Sequence, residues 1–138
     1  MNRFHLFAAA LLMLPLAAGA ADLRVAVSDG PATPSTLYIA LYDSAATYAA
    51  TQPLASQTAP LRNGAAQVAF LGLPPGRYAL RAFADENGNG KMDANMLGIP
   101  TERYGFSNDA RGVMGPPGFD AVALPVDAAD VATTLHLH

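Results

Sequence analysis

The sequence predicts an all-β protein, a seven-stranded Greek-key β-sandwich with one long ordered loop. Short segments alternate between apolar and polar residues with a period of two, which is typical of half-buried strands. Turn signals separate these segments, and the chain holds 12 Gly and 11 Pro residues. After residue 20, we find no long apolar period of 3.6 residues with helix caps, so the pattern favours strands over helices.

The first 20 residues have the pattern of a secretory signal peptide. Arg3 gives a positive start, an apolar run extends from Leu6 to Leu16, and Ala18-Gly19-Ala20 is a small-x-small cleavage site. We therefore expect residues 1–20 to be removed on export and residues 21–138 to form one β-sandwich domain. The expected location is periplasmic or extracellular, with no membrane span after cleavage.

Each predicted strand follows from its alternation. Leu23, Val25 and Val27 share one face of the first, and Leu37, Ile39 and Leu41 share one face of the second. Tyr38 and Tyr42 make the other face of the second strand apolar too, which indicates a central strand. The remaining five predicted strands are 57–61, 66–70, 77–84, 119–124 and 131–137, and a short helical turn is expected at 45–50.

Two connections carry further information. Asn63-Gly64 between the third and fourth predicted strands is a strong signal for a two-residue hairpin. Residues 85–118 lack sustained alternation but contain several large apolar residues, so we expect an ordered, packed loop there. Loops of this length are usually functional when they are ordered.

The start of that loop, Asp85–Asp93, reads DENGNGKMD and has the spacing of a calcium-binding loop. If Asp85 is position 1, Asn87, Asn89 and Asp93 fall at positions 3, 5 and 9. Gly90 falls at position 6, where an EF-hand loop makes its sharp turn, and the Lys91 backbone carbonyl falls at position 7. The pattern predicts Ca²⁺ as the bound ion.

The calcium pattern is incomplete at position 12, where Met96 replaces the usual bidentate Glu. Glu102 is the candidate to complete the shell, because the chain bends at Gly98-Ile99-Pro100 before it; Asp109 and Asp120 are further candidates. The alternative for Glu102 is a charge that faces solvent or neighbours Arg103. With few carboxylates, the expected affinity is weak, on the order of 10⁻⁴–10⁻³ M.

An ion-free turn is the competing interpretation of the same loop. Asn and Gly both tolerate a positive φ, so Asn-Gly repeats also build tight turns that bind nothing. The sequence alone leaves both interpretations open.

Composition and missing motifs limit the function classes. The formal charge is −3 without a basic cluster, which disfavours nucleic-acid binding, and the absence of Cys excludes disulfides. We find no nucleophile elbow and no metalloprotease motif, so an enzyme is not expected. Ser107 fits a role in a turn. His136 and His138 fit an exposed strand end better than a pair of metal ligands. Tyr104 and Phe106 fit core packing better than a surface on which a sugar stacks.

The turn Leu73-Pro74-Pro75-Gly76 before Tyr78, followed by a strand and the DENGNGKMD loop, resembles transthyretin-like (prealbumin-like) sandwich modules. Surface adhesin B-type repeats share the D-x-N-x-N-G-x-x-D loop, which binds calcium there. The longer run from Asp85 through Asn108, followed by Pro116–Ala121, closely resembles a bacterial family of small secreted proteins catalogued as a domain of unknown function. The segment from Tyr78 to Ala121 is the specific part of this resemblance. The resemblance implies export and a transthyretin- or immunoglobulin-like sandwich, but no established activity.

The predicted function is therefore an exported, non-enzymatic β-sandwich module with a calcium-organised loop that presents a binding surface. The alternative is an ion-free protein- or glycan-binding domain of the cell envelope. A hydrolase that uses the loop carboxylates is the third and weakest alternative.

Overall fold

A computed structural model describes residues 19–138, and it contains eight strands in two sheets. The predicted signal peptide falls almost entirely on residues 1–18, outside the described residues. The strands are β1 (Ala21–Ser28), β2 (Ser35–Tyr42), β3 (Ala55–Leu61), β4 (Ala66–Leu73), β5 (Gly76–Asp85), β6 (Tyr104–Phe106), β7 (Leu124–Val126) and β8 (Val131–His136). Two short helices, α1 (Ala45–Ala49) and α2 (Phe119–Val122), and a 3-10 turn at Ser107–Asp109 complete the described part.

The smaller sheet has three strands in the order β4-β1-β8. β1 is central, antiparallel to β4 and parallel to β8. The larger sheet has the order β3-β2-β5-β6, and β7 pairs with the start of β5. β2 therefore lies between two strands, as its apolar residues on both faces predicted.

The main core lies between the two sheets. The predicted inward residues of the first two strands, Leu23, Val25, Val27, Leu37, Ile39 and Leu41, are all at most 2% exposed. They pack with Phe70, Tyr78, Leu80 and Leu135 in one cluster. The alternation therefore identified the buried faces correctly, and the fold is a mostly β protein with two packed sheets.

A second, smaller core lies on the outer face of the larger sheet. Tyr42 and Ala79 of the sheet pack there with Tyr48 of α1, Phe106 of β6 and Val122 of α2. Helix α1 begins with a capping box in which Ser44 and Thr47 exchange hydrogen bonds. The short helix expected at 45–50 is thus confirmed, and its tyrosine covers one end of the sheet's outer face.

Three predictions about elements were wrong. The prediction of seven strands missed β6, which is three residues long and too short to show alternation. The strand predicted at 119–124 is divided into α2 and β7. Asn63-Gly64 does form a tight turn, closed by two Arg62–Ala65 backbone hydrogen bonds of 3.0 Å, but β3 and β4 then enter different sheets.

The long loop is only partly packed. Tyr104 and Phe106 lie in β6, and Phe106 is buried. The expectation of a packed loop fails at five other apolar residues, which are all more than half exposed: Met96, Leu97, Ile99, Val113 and Met114. No helix within residues 19–138 is long and apolar enough to cross a membrane.

Candidate functional site

Strand β5 ends at Asp85 and delivers this carboxylate into the base of the 85–93 loop. Asp85 is 3% exposed. Its Oδ1 accepts a hydrogen bond from the Gly88 N–H at 3.0 Å, and its Oδ2 accepts one from the Gly90 N–H at 2.8 Å. Both glycines have a positive φ, 73° and 72°. Glycine adopts this conformation without strain, so the loop can turn around the Asp85 carboxylate at these two residues.

The side chains at positions 3 and 5 of the loop both contact the side chain at position 9. The Asn89 side-chain amide donates to Asp93 Oδ1 at 2.7 Å, and the Asn87 amide donates to Asp93 Oδ2. The amide oxygens of Asn87 and Asn89 accept from the N–H two residues later, in Asx turns at 3.2 and 2.9 Å. The structure therefore brings the side chains of Asn87 and Asn89 together at Asp93.

Glu102 is buried, at 6% exposure, and it braces both ends of the loop. Its Oε2 accepts from the Glu86 N–H at 2.8 Å, and its Oε1 accepts from the Asp93 N–H at 2.9 Å. The alternative of a solvent-facing charge is therefore wrong. The neighbouring Arg103 points elsewhere and donates to the Asp29 carbonyl at 2.7 Å.

The chain between Asp93 and Glu102 forms a small hairpin that returns Glu102 to the loop. Thr101 donates its N–H to the Asp93 carbonyl at 2.8 Å, and Ala94 pairs with Pro100. At the tip, the Asn95 side-chain oxygen accepts from the N–H groups of Leu97 and Ile99. The bend at residues 98–100 thus places Glu102 beside Asp93, as the sequence suggested.

The geometry meets the calcium pattern in part. Within residues 19–138, no group of three or more His, Cys, Asp or Glu side chains is close enough to hold a metal ion. An ion in this loop would therefore depend on amide and backbone oxygens as well as on the carboxylates of Asp85 and Asp93. Ligation by Glu102 and by the Lys91 carbonyl stays a prediction.

The other candidate residues lie away from this loop. Asp120 is 3.2 Å from Arg77, near the start of β5, and Arg77 is eight residues or about 26 Å along the strand from Asp85. The His136 Nδ1 is 2.9 Å from an Asp29 carboxylate oxygen, and its Nε2 is 3.9 Å from one of Asp109. His138 instead contacts Arg111.

Ser107 is fully buried and ties three elements together. Its Oγ accepts from the Leu80 N–H at 3.0 Å and donates to the Val122 carbonyl. The hydroxyl thus joins β5, the 3-10 turn and α2, which is a stronger structural role than the turn expected from sequence.

Sequence reasoning missed a groove of about 460 Å³ on the outer face of the larger sheet. Two rows of side chains line it, each crossing four strands in register. The first, which we call the aromatic row, consists of Thr58, Tyr38, Phe83 and Tyr104; the second, the arginine row, consists of Ser56, Ala40, Arg81 and Phe106. Alternation placed Tyr38 and Arg81 on the other face of their strands, but only the strand register shows that the eight residues form two adjacent rows.

Aromatic contacts fix the groove's shape. The rings of Tyr38 and Phe83 stack with centroids 5.1 Å apart, and Tyr104 meets Phe106 edge to face. The Arg81 guanidinium lies 5.7 Å from the Tyr48 ring centre and 5.5 Å from that of Phe106. Burial raises the pKa of the Tyr48 phenol, while Arg81 acts in the opposite direction.

The loop and the groove are neighbours. Met92 lines the groove, and β5 carries Arg81 and Phe83 on the groove side before it ends at Asp85. Gly90 is a neighbour of Tyr38, since a Cβ at residue 90 would be in ordinary van der Waals contact with the Tyr38 hydroxyl, at 3.6 Å. A change in the loop's conformation would therefore alter one wall of the groove.

The family model DUF2141, described as an uncharacterized protein conserved in bacteria, matches residues 25–134. The chain belongs to this family. The match spans every strand from within β1 to within β8, and so includes the loop and the groove. No curated protein and no solved structure gives a match. The predicted relation to a domain of unknown function is thus confirmed, and membership assigns no activity.

Proposed function

We propose that this DUF2141 family member is an exported, non-enzymatic binding module whose 85–93 loop is organised by a calcium ion. The observation that carries the proposal is a buried Asp85 carboxylate that bonds to the loop backbone, in a loop whose Asn87 and Asn89 side chains converge on Asp93. The ion would gather these oxygens with the Lys91 carbonyl, and Glu102 would complete or brace the shell. The ordered loop would then present the adjacent surface for binding.

Charge supports an ion at this place. Residues 85–102 hold four carboxylates, at Asp85, Glu86, Asp93 and Glu102, against one ammonium group at Lys91. Within the described chain, the oxygens of Asp85 accept hydrogen bonds only from backbone N–H groups and form no ion pair. A divalent cation would relieve the repulsion among these charges.

The donor chemistry favours calcium over other metals. All candidate ligands are carboxylate, amide or carbonyl oxygens, which suit a hard cation. Magnesium demands near-ideal octahedral geometry, whereas calcium accepts the irregular geometry of a flexible loop. The amides of Asn87 and Asn89, which now donate to Asp93, would have to present their oxygens instead, and the lost hydrogen bonds would keep the affinity weak.

Thermal unfolding of chelator-treated protein tests this proposal. For a Kd of about 10⁻⁴–10⁻³ M, 1 mM calcium should stabilise the folded state by about 0.4–1.4 kcal/mol. In a domain of this size the melting temperature should rise by roughly 2–6 °C. Magnesium at the same concentration should give a clearly smaller shift, and equal shifts with both ions would indicate non-specific charge screening instead.

An ion-free binding domain for a protein or glycan of the cell envelope is the second candidate, and one observation favours it. Glu102 joins both ends of the loop through the N–H groups of Glu86 and Asp93, and the loop side chains already hydrogen-bond one another. The loop thus has a set of contacts that needs no ion. An unchanged melting temperature with calcium would favour this candidate.

Export and the finer fold type are further parts of the proposal. Strand β1 begins at Ala21, which is 1% exposed, so cleavage after residue 20 would remove no strand residue. N-terminal sequencing of protein recovered outside the cytoplasm should give Ala21 or Asp22; retention of Met1 would contradict export. We also propose a Greek-key, transthyretin-like arrangement, supported by connections such as Asn63-Gly64 that cross between the two sheets.

A further inference from the structure

We infer that the groove on the outer face of the larger sheet binds a small amphipathic carboxylate, an apolar molecule that bears one carboxylate group. Its apolar part lies against the aromatic row, and its carboxylate pairs with Arg81. The inference deepens the proposed function, because it names a ligand class for the binding module. It rests on the proposed function only in treating the protein as non-enzymatic.

The register of the strands creates the hollow. Ala40 stands between Ser56 and Arg81 in the arginine row, and its methyl group leaves space that a larger residue would fill. Tyr42 of β2 and the stacked rings of Tyr38 and Phe83 also line this space. The hollow crosses four strands, which corresponds to about 14 Å from three strand spacings.

The size of the groove favours a small molecule. Its volume of about 460 Å³ falls in the range of about 300–1,000 Å³ that ligand pockets occupy. Its lining also has the composition of such a pocket, in which aromatic rings predominate and a few polar groups fix the orientation. Here the polar groups include the Arg81 guanidinium and the hydroxyls of Ser56 and Thr58 on the edge strand β3.

Arg81 supplies the charge complementarity. Within residues 19–138, no carboxylate lies within ion-pair distance of its guanidinium, and the side chain forms no hydrogen bond. Its donors are therefore free to bind a carboxylate, which a guanidinium can engage through two parallel hydrogen bonds. The rings of Tyr48 and Phe106 hold the cation in place, so little conformational entropy is lost on binding.

Arg77 provides the comparison within the same strand. It also lies over an aromatic ring, 5.5 Å from the centre of Phe119, but its guanidinium is paired with Asp120 at 3.2 Å. Two arginines of β5 thus have similar aromatic neighbours, and only Arg81 lacks an acidic partner among the described residues. This difference is the expected mark of a guanidinium that binds an external anion.

Calorimetric titration of the mature chain tests the inference. The probes are decanoate and indole-3-acetate, each compared with its uncharged analogue, decanol and indole-3-acetamide. At least one acid should bind at least tenfold more tightly than its uncharged analogue, and the acid that does so shows whether the ligand is a fatty or an aromatic carboxylate. Failure of both acids to bind at millimolar concentration, or equal binding of acid and analogue, overturns the inference.

Variants locate the site. Arg81→Gln should weaken binding of the acid at least tenfold, whereas the matched control Arg77→Gln should leave it unchanged. Ala40→Leu, which fills the hollow without a change of charge, should also weaken binding, and it keeps the test valid if Arg81→Gln does not fold. Equal losses in both arginine variants, or no loss in Ala40→Leu, contradict this site.

Running the titrations with chelator and with calcium separates the two proposals. Binding of the acid in chelator supports the groove even if calcium is found not to bind the loop. Calcium binding without binding of either acid supports the loop and refutes the ligand class. A stronger acid affinity in calcium would show that the loop is coupled to the groove, whose wall includes Met92 of the loop.

Discussion

Replacing Glu102 with Gln tests the role of this side chain most directly. Each carboxylate oxygen accepts one backbone N–H, from Asp93 at 2.9 Å and from Glu86 at 2.8 Å. Glutamine has one acceptor oxygen, and its amide NH₂ would face the second backbone N–H. One charge-assisted hydrogen bond is lost and the other becomes a neutral one.

The structure sets the magnitude of this loss. A hydrogen bond to a charged group contributes about 1.5–3 kcal/mol, and Glu102 is only 6% exposed, so water replaces the lost partner poorly. We expect Glu102→Gln to lower the free energy of unfolding by about 1.5–3 kcal/mol. For a domain of this size, the melting temperature should fall by roughly 5–15 °C.

The assay is urea unfolding in the presence of chelator, so that no ion contributes. Glu86→Gln is the matched control, because Glu86 is exposed and its side chain accepts only a 3.2 Å hydrogen bond from Thr33; its effect should stay within about 0.5 kcal/mol. Hydrogen exchange adds a local readout, since the Asp93 amide should exchange faster in Glu102→Gln while the Gly90 amide, bound to Asp85, changes little. If Glu102→Gln and Glu86→Gln unfold alike in chelator, Glu102 does not brace the loop.

Three further predictions concern the scaffold. Ile39→Ala should cost about 2–5 kcal/mol in urea unfolding, because Ile39 is 1% exposed between the sheets; a loss below about 1 kcal/mol would contradict the core assignment. Ser107→Ala should lower the free energy of unfolding by about 1–3 kcal/mol, because it leaves the Leu80 N–H and the Val122 carbonyl without their buried partner. An unchanged free energy of unfolding would refute this structural role of the Ser107 hydroxyl. Burial raises the pKa of Tyr48, so the folded state retains a proton that the unfolded state loses above about pH 10, and stability should fall there as pH rises. Tyr48→Phe should flatten that alkaline decline in unfolding free energy, and an equally steep decline would refute the attribution.

The sequence predicted the buried faces of the strands because alternation depends on local residue order alone. Leu37, Ile39 and Leu41 are inward-facing in a strand whose partners need not be known. It failed at β6, because a three-residue strand containing Gly105 has no measurable period. The position of Gly105 depends on tertiary contact, since a Cβ there would lie 2.3 Å from the His136 carbonyl oxygen.

For the loop and the groove too, the sequence predicted what depends on local residue order and missed what depends on tertiary contact. The spacing from Asp85 to Asp93 is local, so the sequence identified the residues that converge in the structure. The brace by Glu102 was suggested only as ligation, because its backbone partners depend on how the 94–100 hairpin folds back. The groove was missed because Tyr38 meets Phe83, and Ala40 meets Arg81, only through the register of β2 and β5.

Isothermal titration calorimetry of calcium into chelator-treated protein tests the central claim. Wild type should show one site with a Kd on the order of 10⁻⁴–10⁻³ M. Asp85→Asn, which removes the buried charge at the first loop position, should abolish the binding heat, whereas Asp120→Asn, which removes an exposed charge paired with Arg77, should leave it unchanged. Absence of binding heat in wild type at calcium concentrations about tenfold above that range, or equal heats in wild type and Asp85→Asn, would contradict a calcium-organised loop.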